Sequence, residues 1–145
     1  MTFLTVFSAP KPFTDPHIAI IQRNAIGSWT RLPETEVLLI GDESGMAETA
    51  REYGVRQLSN VARNPEGTPL VSSIYNLARV ISSAPLMVYV NADILLMPDL
   101  IEAARQVMSR EKKFLMVGQR WDLDVTQPLD FSGNWVEMLE TETHA

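Results

Sequence analysis

Five short apolar runs in this chain are separated by segments whose apolar residues recur every three or four positions. That alternation constrains the fold more than any other feature. Strands alternating with helices of about 10–15 residues need crossover connections, and crossovers build a mostly parallel sheet. The expected fold is therefore an open α/β sheet with helices on both faces, doubly wound.

The runs read as follows. Phe3 to Phe7 (F-L-T-V-F) is a buried strand, ended by Ser8-Ala9-Pro10-Lys11-Pro12. Asp15 before Pro16 is an N-cap followed by proline at the first helical position. Ile18, Ile21, Ala25 and Trp29 then share one helical face. Glu36 to Ile40 holds V-L-L-I, the pattern of a strand covered on both faces. Ser44 is expected to cap a second helix with Met46, Ala50 and Tyr53 inward and Gly54 past its end. Val55 to Leu58 is a weaker third strand. Thr68-Pro69 is expected to open a third helix with Leu70, Ile74, Leu77 and Ile81 inward. Leu86 to Val90 is a fourth strand, with Tyr89 expected in the core. Pro98 opens a fourth helix, and Phe114 to Val117 is the fifth strand. Trp135, Val136 and Leu139 form the apolar side of an acidic terminal helix, suited to cover a sheet edge or a second subunit.

The 145 residues suit a single domain over 1–145. There is no cysteine, which excludes disulfides, thiolate metal sites and cysteine nucleophiles. Two histidines, His17 and His144, are too few for a histidine-rich zinc site. A net charge of -6 argues against a nucleic-acid surface, which needs a basic stripe. No run approaches the roughly 20 apolar residues of a membrane span. The apolar start reads as a strand rather than a signal peptide, because it lacks a basic leading segment. The expected compartment is the cytoplasm. The seven methionines fall on inner faces and read as gap-fillers.

Ligands of open α/β sheets bind beyond the carboxyl ends of the strands. That edge carries Asp42, Asp93, Asp122 and Asp124 together with Lys11, Arg63 and Arg120. Acids suit a hard divalent ion and arginines suit phosphate oxygens, so a metal-bridged phosphate ligand fits the mixture. No P-loop, no G-x-G-x-x-G after the first strand and no G-x-S-x-G is present. The sharpest local feature is V-Y-V-N-A-D-I-L-L, in which Asn91 and Asp93 interrupt a continuous apolar run. In an extended segment they point to one side. An unpaired buried carboxylate is costly, so Asp93 is expected to face a metal, an arginine or a solvent-filled cleft.

N-A-D at the end of that strand resembles the D-x-D motif of GT-A glycosyltransferases in a one-acid form. The Ser8-Ala9-Pro10 loop, the G-D-E after the second strand and the Asn64–Thr68 segment follow in the family's order. The likeness runs from about Leu4 to about Asp124 and is nearest to the family 2-like nucleotide-diphospho-sugar transferases. It implies a GT-A sheet and a nucleotide-diphosphate sugar as partner. It further implies Mn²⁺ or Mg²⁺ on Asp93 and an acceptor of unknown identity. By the same resemblance Ser8, Ala9, Pro10, Lys11, Asp42, Arg63 and Asn91 bind the nucleotide. In Gln119–Asp124, Trp121 suits a sugar face, Asp122 or Asp124 a general base, and Arg120 the leaving diphosphate. The chain departs from the family in its Asn91 and in its shortness. A non-catalytic nucleotide-sugar-binding or regulatory module of the same fold, and a scaffold acting through an interface, remain as alternatives. An uncovered sheet edge gives a reason to expect a homodimer.

Overall fold

The computed structural model describes residues 1–142; His144 lies outside them. The described elements run β1 (Leu4–Ser8), α1 (Pro16–Thr30), β2 (Thr35–Ile40), α2 (Met46–Tyr53), β3 (Arg56–Leu58), α3 (Val71–Ile81), β4 (Leu86–Tyr89), α4 (Asp99–Arg110) and α5 (Trp135–Glu142). The strands form one all-parallel sheet in the order β3-β2-β1-β4. This is the open α/β architecture expected from the alternation, with four strands rather than five.

Alternation along the strands divides the core. Leu4, Val6, Val37 and Leu39 face one side, where Ala25, Ile26 and Trp29 of α1, Met46 and Ala50 of α2, and Ile101 of α4 pack on them. Phe7, Leu38 and Ile40 face the other side, covered by Ile74 and Ala78 of α3. The faces follow from handedness. The β1-α1-β2 and β2-α2-β3 steps run one way across the sheet, and β3-α3-β4 runs back, so right-handed crossovers put α3 opposite α1 and α2.

The same rule explains the missing fifth strand. Phe114 to Val117 is not a strand; Leu115 is 89% exposed and Val117 82% exposed. Helix α4 lies on the α1 and α2 face. A parallel strand beyond β4 reached from that face would be a left-handed crossover. Strand β4 is consequently the sheet's edge among the described residues, not a central strand. Tyr89, expected in the core, is 38% exposed.

Three local expectations also change. Ser44 does not cap α2. The N-cap is Gly45, at φ +86°, and a Cβ there would lie 2.7 Å from the Phe13 Cβ. The chain crosses itself at that point, since the Phe13 N–H donates to the Ser44 carbonyl (2.8 Å). Thr68-Pro69 does not open α3, which begins at Val71 after an N-cap at Leu70 without a side-chain bond. The Thr68 N–H donates instead to Asn64 Oδ1 (2.9 Å), and Pro69 bridges to Arg63. Of the methionines, only Met46 is fully buried, while Met1, Met108, Met116 and Met138 are exposed. The expected cap of α1 is present: Asp15 Oδ1 accepts from the N–H groups of His17 (2.9 Å) and Ile18 (3.1 Å).

Residues 111–134 contain no helix or strand, yet their far end is anchored on α1. Asn24 Nδ2 donates to the Gln127 carbonyl (3.0 Å), and Asn24 Oδ1 accepts from the Leu129 N–H (2.8 Å). The Phe131 ring lies where a Cβ on Gly27 would be, and it meets Trp135 edge-on at 5.1 Å. Trp135 and Leu139 are buried, so the apolar side of α5 is covered within the chain, while Val136 is half-buried.

Candidate functional site

The strand order reverses between β1 and β4, and the crevice beyond the carboxyl ends at such a switch is where open α/β sheets take ligands. The two strands are paired up to Phe7 and Tyr89, and the Val90 N–H donates to the Phe7 carbonyl (3.3 Å). Past that point the chains diverge. The loop Ser8–Pro12 leaves one side and Asn91–Asp93 the other.

Helix α1 fixes both loops. Gln22 is buried and pairs with the backbone of Lys11 twice: Oε1 accepts from its N–H (2.7 Å) and Nε2 donates to its carbonyl (2.9 Å). The Lys11 side chain is left exposed while its backbone is held. On the outgoing side, the Trp29 indole N–H donates to the Ile94 carbonyl (2.9 Å), and Ser28 Oγ accepts from the Leu96 N–H (3.0 Å). Sequence reasoning missed Gln22, Asn24 and Ser28. Their signal was present: polar residues in A-I-I-Q-R-N-A-I-G-S-W, where helical periodicity alone expects one apolar face.

Asn91 and Asp93 are both exposed with Ala92 buried between them. The segment is a turn rather than extended chain, closed by the Ile94 N–H donating to the Asn91 carbonyl (3.2 Å). The turn delivers the two polar side chains to solvent, as alternation in a strand would have done.

At the end of β1, Ser8 is buried, and its Oγ is the buried side-chain polar atom without a hydrogen-bond partner among the described residues. Strand alternation puts it on the Leu4 and Val6 side. Ala9 is half-buried and Pro10 buried behind it.

Asp42 and Glu43 follow β2, and Gly41 before them sits at φ +125°, with Glu43 Oε1 2.7 Å from where its Cβ would be. Arg63 spans the gap to the Asn60–Pro69 loop. Its Nη2 donates to Asp42 Oδ1 (2.7 Å) and Glu43 Oε1 (2.7 Å), and its Nη1 to Glu43 Oε2 (3.0 Å) and the Gly67 carbonyl (2.8 Å). The Arg63 hydrogen bonds, reinforced by its charge, hold the Glu43 carboxyl below its ordinary value and outweigh the opposing effect of burial. The same pairing raises the guanidinium. Arg63 thus clamps two loops, and a phosphate would have to compete with two carboxylates for it. Asp42 stays exposed beside the clamp.

The Gln119–Asp124 segment lies outside the helices and strands, with Asp122 in a β-bridge. Trp121 is 64% exposed, so it is not a core residue. Arg120 Nε lies 3.5 Å from Asp122 Oδ1, both side chains exposed, and Asp124 is exposed. Among the described residues no hydrogen bond or ion pair ties these four to Ser8–Lys11, Asp42 or Asn91–Asp93. The recess between Pro33 and the Pro98–Ser109 face of α4 lies near where the strands begin, not at their carboxyl ends. No helix among the described residues is long and apolar enough to cross a membrane. A scan against protein-family models finds no match to this chain, and a search of curated proteins finds none either.

Proposed function

We propose that the chain binds a nucleotide-diphosphate sugar at the switch point and transfers the sugar to an acceptor hydroxyl, as a glycosyltransferase of GT-A type. The observation that carries this reading is the pair of loops there: Pro10-Lys11, held by Gln22 of α1, on one side, and Asn91-Asp93 on the other, followed directly by Ile94 and Leu96, which α1 holds. Lys11 offers an ammonium to phosphate, and Asp42, exposed and bonded to Arg63 through Oδ1, has its second oxygen to offer a base beyond the neighbouring strand.

Among the described residues no three His, Cys, Asp or Glu side chains cluster as a metal site. One exposed carboxylate with an amide two residues away fits an ion that keeps most of its shell as phosphate oxygens and water. Asp93 would hold Mn²⁺ or Mg²⁺ in that manner, with Asn91 beside it. Such an ion supplies neutralisation of the charge that develops on the leaving diphosphate. The chain's own groups orient the donor through the two loops and present Lys11 to its phosphates. Trp121, Asp122, Asp124 and Arg120 are proposed for the acceptor side.

A second reading is favoured by the exposed Gln119–Asp124 segment, in which Arg120 and Asp122 pair with each other. It is a binding or regulatory module that holds the nucleotide sugar without turnover. Thermal shift with UDP, GDP, ADP, CDP and dTDP, with and without Mn²⁺, tests the shared premise. A ligand specific to the native state at about a hundred times its Kd adds roughly 2.7 kcal/mol. The expected result is a shift with one diphosphate, dependent on metal and lost in Asp93→Ala at unchanged circular dichroism. No shift with any of them sinks both readings. A donor-hydrolysis assay on the diphosphate that binds then separates transferase from module.

A further inference from the structure

Leu115-Met116-Val117 is the longest run of consecutive exposed large apolar side chains among the described residues. Leu115 and Val117 project almost wholly into solvent, and Phe114 before them is half-buried. The four residues that lead into the run, Arg110-Glu111-Lys112-Lys113, are all exposed and hold three cations and one acid. Among the described residues no ion pair engages Arg110, Lys112 or Lys113. A chain of net charge -6 thus carries a local cationic surplus directly against an exposed aliphatic run.

The fold holds this segment out from the body. Helix α4 ends at Arg110, and Arg105 on it pairs with Glu34 and covers the Phe3 ring, at the edge where the strands begin. The chain is next fixed at Gln127 and Leu129, where Asn24 of α1 bonds their backbone. Residues 111–126 between these two anchors contain no helix or strand. The segment leaves α4 at the edge opposite the switch-point crevice. A surface that takes it up there leaves the crevice open.

Chemistry selects the partner. A stable protein interface buries about 800 Å² on each side with good complementarity, which three side chains on an irregular chain do not supply. Single-stranded nucleic acid is taken up on aromatic platforms, and the side chains exposed in this run are aliphatic. A bilayer with anionic headgroups needs less. It asks for apolar side chains that reach the acyl boundary and cations beside them, with no fixed shape on the protein side. The lysine stems are themselves apolar, so the ammonium groups stay among the headgroups while the neighbouring residues descend. Repulsion from the acids elsewhere in the chain is screened beyond about 8 Å at physiological ionic strength, so the local surplus decides. We infer that Arg110–Val117 is a peripheral membrane contact, in which Leu115, Met116 and Val117 enter an anionic lipid surface and Arg110, Lys112 and Lys113 meet its headgroups. This contact stands without the ligand reading.

Vesicles of phosphatidylcholine mixed with phosphatidylserine are the probe, and vesicles of phosphatidylcholine alone are the control. The chain has no cysteine, and a Cβ on Gly118 would meet nothing within 4 Å. Gly118→Cys therefore takes an environment-sensitive dye at a single site beside the run. The expected results are co-sedimentation and a blue-shifted dye with the mixed vesicles, little of either with phosphatidylcholine, and release at high salt. Lys112→Ala with Lys113→Ala should weaken binding roughly thirtyfold. Leu115→Ser with Val117→Ser should weaken it roughly tenfold or more, at unchanged circular dichroism. Failure of the wild type to sediment with the mixed vesicles overturns the inference. So does equal binding to phosphatidylcholine alone, which would remove the role of charge. Binding that survives both pairs of substitutions overturns it by placing the contact elsewhere. Light scattering without lipid supplies the last outcome: a wild type that self-associates, and becomes monomeric in Leu115→Ser/Val117→Ser, would show the run covered by a second copy instead.

Discussion

The sheet body, residues 1–110, and the stretch 111–134 obey different rules. In the body every apolar run found a partner face, and Trp29 is completely buried with its indole N–H bonded. In the stretch an equally apolar run, F-L-M-V, found none, and Trp121 stands in solvent. Composition does not distinguish them. Location does: strands of the body are reached by right-handed crossovers, while the fifth would need a left-handed one. Hydrophobic patterning specifies an element only where topology leaves a surface for it to cover.

The two tryptophans sharpen this contrast most. Trp29→Ala removes a full core side chain and leaves the Ile94 carbonyl without its donor, at a cost of about 3–5 kcal/mol. Trp121→Ala should change unfolding free energy by less than about 0.5 kcal/mol. Urea denaturation of the two variants measures both. A Trp121→Ala protein destabilised as much as Trp29→Ala would show that the 111–134 stretch has a core of its own, and the comparison would fail.

The join between the regions comes next. Asn24 receives the stretch on α1 through both ends of its amide. Asn24→Ala leaves the Leu129 N–H and the Gln127 carbonyl unpaired, costing about 1–3 kcal/mol. The telling readout is local. Amide exchange should accelerate from Gln127 through α5, with β1 and β2 nearly as protected as before. Uniform acceleration across the sheet would mean that the two regions unfold as one.

A smaller effect comes from the Arg63 clamp, which lies wholly within the body. The Glu43 carboxyl is held below its ordinary value of 4.5, so its contribution is present above that pH. It is lost as pH falls through the lowered folded value, when the carboxylate takes up its proton. Comparing the wild type with Glu43→Gln should show a stability gap of about 1 kcal/mol near neutrality that closes in acid. A gap that persists unchanged down to the lowest pH at which the protein stays folded would assign it to packing instead of charge.

How much of this was legible in the sequence follows the same division. The strands β1 to β4, the Asp15-Pro16 cap and the burial of V-L-L-I were readable, because period and turn chemistry act over a few residues. The exposed pair Asn91 and Asp93 was readable from cost alone, since burying them unpaired is unfavourable. What escaped was non-local. Ser44 loses its capping role because Phe13 crosses at Gly45. Arg63 spends its donors on Asp42 and Glu43, which lie 21 and 20 residues away in the chain. Gln22, Asn24 and Ser28 sit on faces of α1 that helical periodicity assigns to solvent or core, and each is instead a clasp for a loop.

Ser8 gives the smallest effect and the most direct view of the crevice between the strands. A buried hydroxyl without a partner costs stability, whereas its removal takes away only the unsatisfied group and one small atom. Ser8→Ala should therefore be neutral or raise stability by up to about 1 kcal/mol in the free protein. Its neighbours carry the contrast: Val6→Ala, two residues back on the same side of β1, leaves a cavity and should cost about 1–3 kcal/mol. Nucleotide binding gives the second axis. If the hydroxyl is kept for the ligand, Ser8→Ala weakens the diphosphate while the free protein is as stable as before or more so. If an ordered water satisfies it, the variant loses stability and binding is unchanged. The two outcomes differ on both axes, so paired melting curves with and without the diphosphate decide whether the switch point between β1 and β4 is a ligand crevice or a well-hydrated seam.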